Sequence, residues 1–449
     1  MNHLPAQWNR DRLKDVAAIN PASLPANTDP DFEFDYLEIS NVDYYGVIDP
    51  KAVERLRYED APSRARRRVG KNSTVISSVR PNLQAVAFLS DGRHDLVCST
   101  GFNVVQSHET KLFPKFAYYA LISEDGRQYF EATAKGVGYP AVDDKDFNSF
   151  SVALPPVPEQ RRIAAYLDAS CAAIDAAAAA KGRQLETLDA LRQTTIHSAV
   201  TIGLNPEVKM RDSGVEWFDD VPAHWGVDRL KDVVAANKDA VKVGPFGSDL
   251  LLGDMADEGI KVFNQRTVID RDFESGVHFV SPEKYAQMKA FTVYPGDLLI
   301  TTRGTIGRCA IVPDTAPLAI LHPCLMRMQT NKIKLLPEYL AVLIQDCGLV
   351  LRQLQMMSAA TTIDVIYSDS LKRTYLPLPP VAEQQTIIDF LAEKNAEFTS
   401  LAGQIERQIA TLLAYRKSLI HECVTGLRRI SEMDVRRAAH FRSAERTSS

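Results

Sequence analysis

An internal repeat constrains the fold of this 449-residue chain more than any other feature. The segment PAQWNRDRLKDVAAIN at residues 5–20 returns as PAHWGVDRLKDVVAAN at residues 222–237, with 11 of 16 positions identical at an offset of 217. LPPVPEQRRIAAYL at residues 154–167 and LPPVAEQQTIIDFL at residues 378–391 share 8 of 14 positions at an offset of 224. Such self-similarity predicts two tandem copies of one structural plan. Each copy has an entry segment, a variable block and a helical block.

The variable blocks between these paired segments resemble each other only faintly. LFPKFAYYALI at residues 112–122 corresponds in register to LLPEYLAVLI at residues 335–344, while most other positions differ. A shared frame with two different variable blocks favours a protein that performs one task on two different targets.

Each helical block carries an apolar stripe with steps of three and four residues, which predicts a long helix with a heptad seam. Prolines precede both blocks, and Gly203 and Gly426 follow them as candidate caps. We expect two helices of roughly 40 residues, or about 60 Å each, packed antiparallel on each other. The alternative is that each helix packs only on its own domain. The stripe residues are Leu167, Cys171, Ile174, Ala178, Leu185 and Leu188, and Leu391, Phe398, Ala402, Ile405, Ile409 and Leu412.

Arg192 and Arg416 occupy equivalent registers of these seams near the helix ends. A buried guanidinium is costly unless it is paired. We therefore consider a contact with a partner subunit, and the alternative is an arginine whose apolar stem is buried while its charge reaches solvent.

Composition describes an ordinary globular protein, with 45% hydrophobic and 24% charged residues. A net charge of −5 argues against a wholly basic surface, although local patches remain compatible with DNA binding. Six scattered cysteines show no zinc spacing, and no phosphate loop, dinucleotide turn, nucleophile elbow or methylation motif is present. We therefore expect no metal, no cofactor and no catalysis. Without a signal segment or a long apolar run, we expect a cytoplasmic protein that does not enter a membrane.

Several motifs resemble the specificity subunits of type I restriction-modification systems. They are the doubled Pro-Pro-x-x-Glu-Gln helix start, VTGL at residues 424–427, and RDSGVEWFDDVPAHW before the second variable block. GPFGSDL at residues 244–250 and YPGDLLITTRGTIG at residues 294–307 are similar to that family's recognition domains. The resemblance covers essentially the whole chain.

The resemblance implies an α/β (α+β) fold with two target-recognition domains that contain curved sheets. Two long antiparallel coiled-coil helices separate these domains, and a pseudo-twofold axis relates the copies. It also implies that the chain reads a bipartite, asymmetric target in double-stranded DNA, one half-site per recognition domain. Two methyltransferase subunits would hold the helical region, and two motor-nuclease subunits would join for cleavage. The alternative is a helical scaffold that does not read bases.

Domain boundaries follow from the paired segments. We expect a first recognition domain at residues 1–153, a first spacer helix region at 154–204, and a linker with the second recognition domain at 205–377. A second spacer helix region follows at 378–427, and a basic tail at 428–449 has the composition of a solvated chain end.

Candidate DNA contacts lie in both variable blocks. The densest basic run is expected to contact phosphates, with a solvated face as the alternative. Two arginines beside small hydroxyl residues, in SSVRPN and TTRGTIG, are expected to contact a guanine edge, with ordinary surface arginines as the alternative. Two small-residue loops, KGVGYPAV and SAATTIDV, supply further candidates. The candidates are Arg64, Arg66, Arg67, Arg68 and Lys71 in the run, Arg80 and Arg303 beside the hydroxyls, and Lys135, Tyr139 and Thr361 in the loops.

Overall fold

A computed structural model describes residues 4–43, 46–91, 95–216, 219–246, 249–358 and 365–446. The chain forms two compact units. The first unit comprises Met1–Arg183 and Ile405–Ser449, and the second comprises Gln184–Gln404. Each unit therefore combines one variable block with parts of both helical blocks.

Among the described residues, ten strands and four short α-helices precede the long helix of the first copy. The strands are β1 (Asn9–Arg12), β2 (Ala17–Ile19), β3 (Glu33–Leu37), β4 (Glu54–Arg57), β5 (Ala65–Arg68), β6 (Ser73–Ser77), β7 (Val86–Leu89), β8 (Leu96–Ser99), β9 (Phe102–Ser107) and β10 (Ser151–Leu154). The helices are α1 (Leu13–Val16), α2 (Pro114–Ile122), α3 (Glu124–Thr133) and α4 (Asp144–Asn148). The long helix α5 (Val157–Thr201) follows.

In the described part of the second copy, thirteen strands and six short α-helices precede the long helix. The strands are β11 (Met210–Arg211), β12 (Val221–Pro222), β13 (Gly226–Arg229), β14 (Val241–Val243), β15 (Met255–Ala256), β16 (Ile260–Phe263), β17 (Phe279–Val280), β18 (Thr292–Val293), β19 (Leu298–Thr301), β20 (Cys309–Ile311), β21 (Ala319–Leu321), β22 (Leu325–Met328) and β23 (Tyr375–Leu378). The helices are α6 (Leu230–Val233), α7 (Gln265–Asp270), α8 (Pro282–Gln287), α9 (Pro337–Ala341), α10 (Leu349–Ser358) and α11 (Ser368–Lys372). The long helix α12 (Val381–Thr425) and a final helix, α13 (Glu432–Arg446), complete the chain.

The two blocks share one sheet topology. A four-stranded sheet has the order β2-β9-β6-β7 in the first unit and β14-β22-β19-β20 in the second. A second sheet has the order β4-β3-β8-β5, and β17-β16-β21-β18 repeats it with β15 added at one edge. The pairs β3–β8 and β16–β21 are parallel, whereas their neighbours are antiparallel. This agreement confirms the predicted α/β class and the tandem repeat, although few residues of the two variable blocks are identical.

The repeated entry segment has the same structure in both units. Strand β1 pairs antiparallel with β10, and β13 pairs with β23, so each entry strand lies beside the strand that precedes a long helix. The LKDV sequence then forms a single helical turn in each copy. Its leucine and valine are buried because they face the core of their unit.

Both long helices have 45 residues, slightly more than predicted. At 1.5 Å per residue each is about 68 Å long. They begin after the Pro-Pro pairs, and the glycines that follow them have positive φ, +85° at Gly203 and +81° at Gly426. A left-handed glycine directly after a helix, as at Gly426, or one residue beyond it, as at Gly203, is the usual terminating geometry, so both predicted caps are confirmed.

Within each unit the two helices run antiparallel. In the first unit Arg416 contacts Asp175, while the backbone oxygen of Ile430, beyond the end of α12, accepts a hydrogen bond from Arg162 near the start of α5. In the second unit Arg192 contacts Asn395. The predicted seam is buried at Leu167, Cys171, Ile174 and Leu391. Its other members are half-buried, namely Ala178, Leu185 and Leu188 in α5 and Phe398, Ala402, Ile405, Ile409 and Leu412 in α12.

One window of α5 meets the length and composition criteria for a membrane span. Its residues Leu167, Cys171 and Ile174 belong to the hydrophobic core of the first unit, together with Leu419 and Ile420 of α12. The apolar side chains of α5 are therefore used in packing, as expected for a core helix.

The C-terminal tail differs from the solvated end that its composition predicts. Ile430 is 5% exposed and packs in the core of the first unit, and Val435 packs against the same core. Ser431 starts α13 by accepting a hydrogen bond from the backbone N–H of Asp434, whose carboxylate accepts one from the N–H of Ser431. The start of the tail is anchored because a few apolar side chains in a basic segment suffice to pack it on the core, while most of the other described tail residues are exposed.

Candidate nucleic-acid interface

A buried glutamine explains the Glu-Gln pair at the start of each long helix. The side chain of Gln160 accepts a hydrogen bond from the backbone N–H of Phe113 and donates to the backbone oxygens of Lys111 and Pro155, at 2.7–2.8 Å. Gln384 makes the same three bonds with Leu336, Lys334 and Pro379, at 2.7–2.9 Å. Each glutamine therefore fastens its variable block to its helix through main-chain atoms.

Two loops meet in the same way beyond the sheet of each unit. In the first unit Val79 forms an isolated bridge with Ala141, and in the second Arg303 forms one with Val365. The hydroxyl of Ser78 donates to the oxygen of Gly101, at 2.9 Å. The hydroxyl of Thr302 donates to the oxygen of Cys324, at 3.0 Å. We name residues 78–84 with 135–142 the first loop pair, and 302–307 with 358–366 the second; residues 359–364 lie outside the described part.

The loop pairs place Arg80 and Arg303 at neighbouring positions of the shared turn, not at the same position. The bridges place Arg303 opposite Val79, at an offset of 224. The counterpart of Arg80 is therefore Gly304, and both have positive φ, +49° and +67°. The two arginines, which lie in roughly equivalent places of the sequence, thus differ in register by one residue, because the register is set by backbone contacts between loops distant in sequence.

Arg80 and Tyr139 are brought together in the first loop pair. The guanidinium carbon lies 4.4 Å from the centre of the Tyr139 ring, within the range of a cation–π contact. Both side chains are exposed, Tyr139 to 74%. The backbone N–H of Arg80 donates to the oxygen of Pro140, at 2.7 Å. Two residues that the sequence suggested separately as DNA contacts thus form one exposed pair of side chains.

Lys135 lies in the same loop pair, but its charge is already compensated. Its ammonium is 2.6 Å from a carboxylate oxygen of Asp143 and 3.0 Å from one of Asp146. Hydrogen bonds to these two carboxylates raise the pKa of Lys135 above its usual value. A phosphate contact by Lys135 would compete with both acids, and its role in DNA binding stays a prediction.

The basic run does not form one continuous cationic surface. The guanidinium of Arg67 is half-buried and donates to the backbone oxygen of Phe102 and the side-chain oxygen of Asn103. Burial lowers the pKa of Arg67. Arg64 forms an ion pair with Glu38, and Arg66 lies over the ring of Tyr58, with its guanidinium carbon 4.8 Å from the ring centre.

The charges of β5 are divided between the interior, at Arg67, and the surface, at Arg68, next to a register shift of the strand between Ala65 and Arg67. Arg68 and Lys71 are exposed. Phosphate contact by the run therefore stays a prediction for its exposed members, and the geometry gives Arg67 an internal role.

The remaining candidates are placed as follows. Thr361 lies outside the described residues. The side chains of Arg192 and Arg416 face the other long helix within their unit, and Arg416 pairs with Asp175 at 2.9 Å. Contact of either arginine with a partner subunit stays a prediction.

Sequence reasoning missed Val137, which is fully exposed beside Tyr139 at the loop tip. Its small-residue surroundings indicated a loop, but exposure of an apolar side chain has no sequence signal.

Comparison with known proteins agrees with this architecture. The family described as type I restriction modification DNA specificity domain matches the chain twice, over residues 5–186 and 222–411. The chain therefore belongs to this family and is a type I restriction-modification specificity subunit, as its motifs predict.

Sequence relatives include two specificity subunits. The type I restriction enzyme EcoBI specificity subunit of Escherichia coli is 23% identical over 328 residues, which cover 72% of this chain and 67% of that protein. The MjaVIII specificity subunit of Methanocaldococcus jannaschii is 21% identical over 348 residues, 76% of each chain.

Solved structures share the fold. A chain from a study of complex assembly and conformational transition of the type I R-M system has a TM-score of 0.72 and 22% identity, covering 94% of this chain and 99% of that one. The HsdS subunit from Thermoanaerobacter tengcongensis has a TM-score of 0.54 and 22% identity, covering 95% and 98%.

Proposed function

We propose that this chain reads a bipartite, asymmetric target in double-stranded DNA, with one half-site assigned to each variable block. The observation that carries this proposal is the pair of equivalent loop constructions with different side chains at matching positions. Arg80 in one copy corresponds to Gly304 in the other, and Val79 corresponds to Arg303. Since side chains at base edges determine sequence preference, the same frame would read two different sequences.

The chain itself is proposed to be non-catalytic and to act in the cytoplasm. It would recruit two methyltransferase subunits through its helical region, and two motor-nuclease subunits would complete the cleaving complex. No cluster of three metal-binding side chains occurs among the described residues. The purified chain alone should turn over neither S-adenosylmethionine nor ATP. Turnover by the chain alone would contradict this assignment.

Target selection tests the reading function directly. The chain assembled with its methyltransferase partner should enrich two separated conserved half-sites from a library of random duplexes. Exchange of the second variable block for that of another specificity subunit should change one half-site and leave the other unchanged. An assembly that binds duplexes without enriching any sequence would instead identify the chain as a helical scaffold that does not read bases.

A further inference from the structure

We propose that Arg80 and Tyr139 form a preorganised reader of a guanine edge in one half-site, and that Tyr139 acts as the positioning residue for Arg80. This inference rests on the proposed function and assigns its chemistry at one loop pair. It involves three features: a left-handed backbone at Arg80, hydrogen bonds that join the two loops, and an exposed stack of the two side chains.

The backbone at Arg80 adopts a conformation that suits glycine. Its φ of +49° lies in the left-handed region, which is unfavourable for a residue with a Cβ atom. The equivalent turn in the second unit has glycine at this place, Gly304, with a φ of +67°. The turn therefore requires a left-handed residue in both units, and the first unit places arginine there in spite of the strain. Strained non-glycine residues occur preferentially at functional sites.

The loops on both sides of Arg80 are held by backbone hydrogen bonds. The N–H of Arg80 donates to the oxygen of Pro140, and the N–H of Val142 donates to the oxygen of Ser78, at 2.7 and 2.9 Å. The bridge between Val79 and Ala141 lies between these two bonds. As a result, the Cα atoms of Arg80 and Tyr139 have fixed relative positions before any ligand arrives.

The stacked side chains are accessible and hardly needed for packing. Neither Arg80 nor Tyr139 belongs to a hydrophobic core, and an exposed cation–π contact contributes little to folding. A tyrosine ring on one face of a guanidinium restricts its orientation while the planar edge with its N–H groups stays free. That edge matches the two acceptors of guanine, O6 and N7, in the major groove.

The second unit lacks this reader. Gly304 offers no side chain, and Arg303 occupies the place of Val79 in the bridge to Val365. An arginine at the left-handed position, stacked on a tyrosine, is thus a feature of the first variable block, whereas a base contact by the exposed Arg303 in the second block stays a separate prediction.

The test uses the chain assembled with its methyltransferase partner and selection from a random duplex library. Arg80→Gly should fold at least as stably as the wild type, because glycine relieves the left-handed strain, yet guanine preference at one position of one half-site should fall about 10- to 100-fold. Tyr139→Leu, which removes the aromatic ring, should reduce the same preference by several-fold. Tyr139→Phe, which keeps the ring, should retain the wild-type preference. Arg303→Ala, the matched control, should leave that half-site unchanged.

Three results would overturn the inference. They are an unchanged preference in Arg80→Gly, an unchanged preference in Tyr139→Leu, and a uniform loss of affinity for all sequences, which would indicate a phosphate contact instead. Failure of the wild-type assembly to select any bipartite target would contradict the proposed function itself. If the wild type selects two half-sites but the variants do so equally well, only the reader assignment fails.

Discussion

Arg429 forms an ion pair with Glu159, at 3.0 Å, and thereby compensates a carboxylate whose side chain is only 7% exposed. The equivalent carboxylate in the second unit, Glu383, is instead bonded by the ring nitrogens of Trp225, at 3.1 Å, and His224, at 2.8 Å. The first unit thus uses the C-terminal tail where the second uses its own entry segment. The tail is a structural part of the first unit.

Arg429→Ala is expected to destabilise the first unit by about 1–3 kcal/mol, because a largely buried carboxylate loses its charged hydrogen-bond partner. Denaturant unfolding and hydrogen exchange of peptides from the start of α5 would measure the effect. Arg436→Ala on the exposed side of α13 is the matched control and should change stability by less than about 0.5 kcal/mol. Equal stabilities for the two variants would show that the ion pair is dispensable.

The buried glutamines give a paired prediction. Gln160→Ala should destabilise the first unit and Gln384→Ala the second, each by about 2–4 kcal/mol, since buried backbone groups lose their partners. Hydrogen exchange resolved by peptide would locate each loss. Gln385→Ala, an exposed neighbour on α12, serves as the control. Destabilisation of the same unit by both substitutions would contradict the assignment of one glutamine to each block.

The basic run yields different expectations for Arg67, which has internal hydrogen bonds, and for its other members. Simultaneous replacement of Arg66, Arg68 and Lys71 by alanine should weaken binding of the assembled complex to all duplexes alike. If each contacts one phosphate, the slope of log affinity against log salt should decrease in magnitude by about 2–3. Arg67→Ala should lower stability instead, because it removes the internal bonds to Phe102 and Asn103. An unchanged slope in the triple variant would assign these residues to solvated surface.

The long helices are expected to set the spacing between half-sites. Insertion of four residues after Ala180 in α5 and four after Gln404 in α12 lengthens each helix by about 6 Å and locally unwinds the seam without ending it. With a rise of about 3.4 Å per base pair, the selected spacer should grow by one or two base pairs while both half-sites stay the same. An insertion in α5 alone, which leaves the helices unequal, is the control and should impair binding. An unchanged spacer with intact binding would contradict this role.

Much of the common frame could be predicted because the sequence contains two copies of it. The paired entry segments, the Pro-Pro helix starts and Gly203 and Gly426 each occur in two copies, and their agreement distinguishes a structural signal from coincidence. Periodicity then specifies the buried side of each helix. These features depend on local chemistry, which a single sequence displays directly.

The details of the interface could be predicted only in part. The residue types at Arg80 and Tyr139 suggested DNA contacts, but the stack between them depends on a bridge between loops about 60 residues apart. Arg67 was assigned with its neighbours because strand β5 was not recognised, and so the inward direction of its side chain was missed. Similarly, burial of Ile430 depends on tertiary contacts that the composition of the tail does not reveal.

The bonding of Gln160 and Gln384 has a consequence for how new specificities arise. Each glutamine recognises only main-chain atoms of its variable block, so almost any sequence that keeps the local backbone satisfies it. A recombination event within the flanking repeats would therefore deliver a foreign block into a frame already able to receive it. If each block reads one half-site, as proposed, the chain could acquire a new half-site in one genetic step, while the helices that are proposed to recruit the methyltransferase subunits would be inherited unaltered.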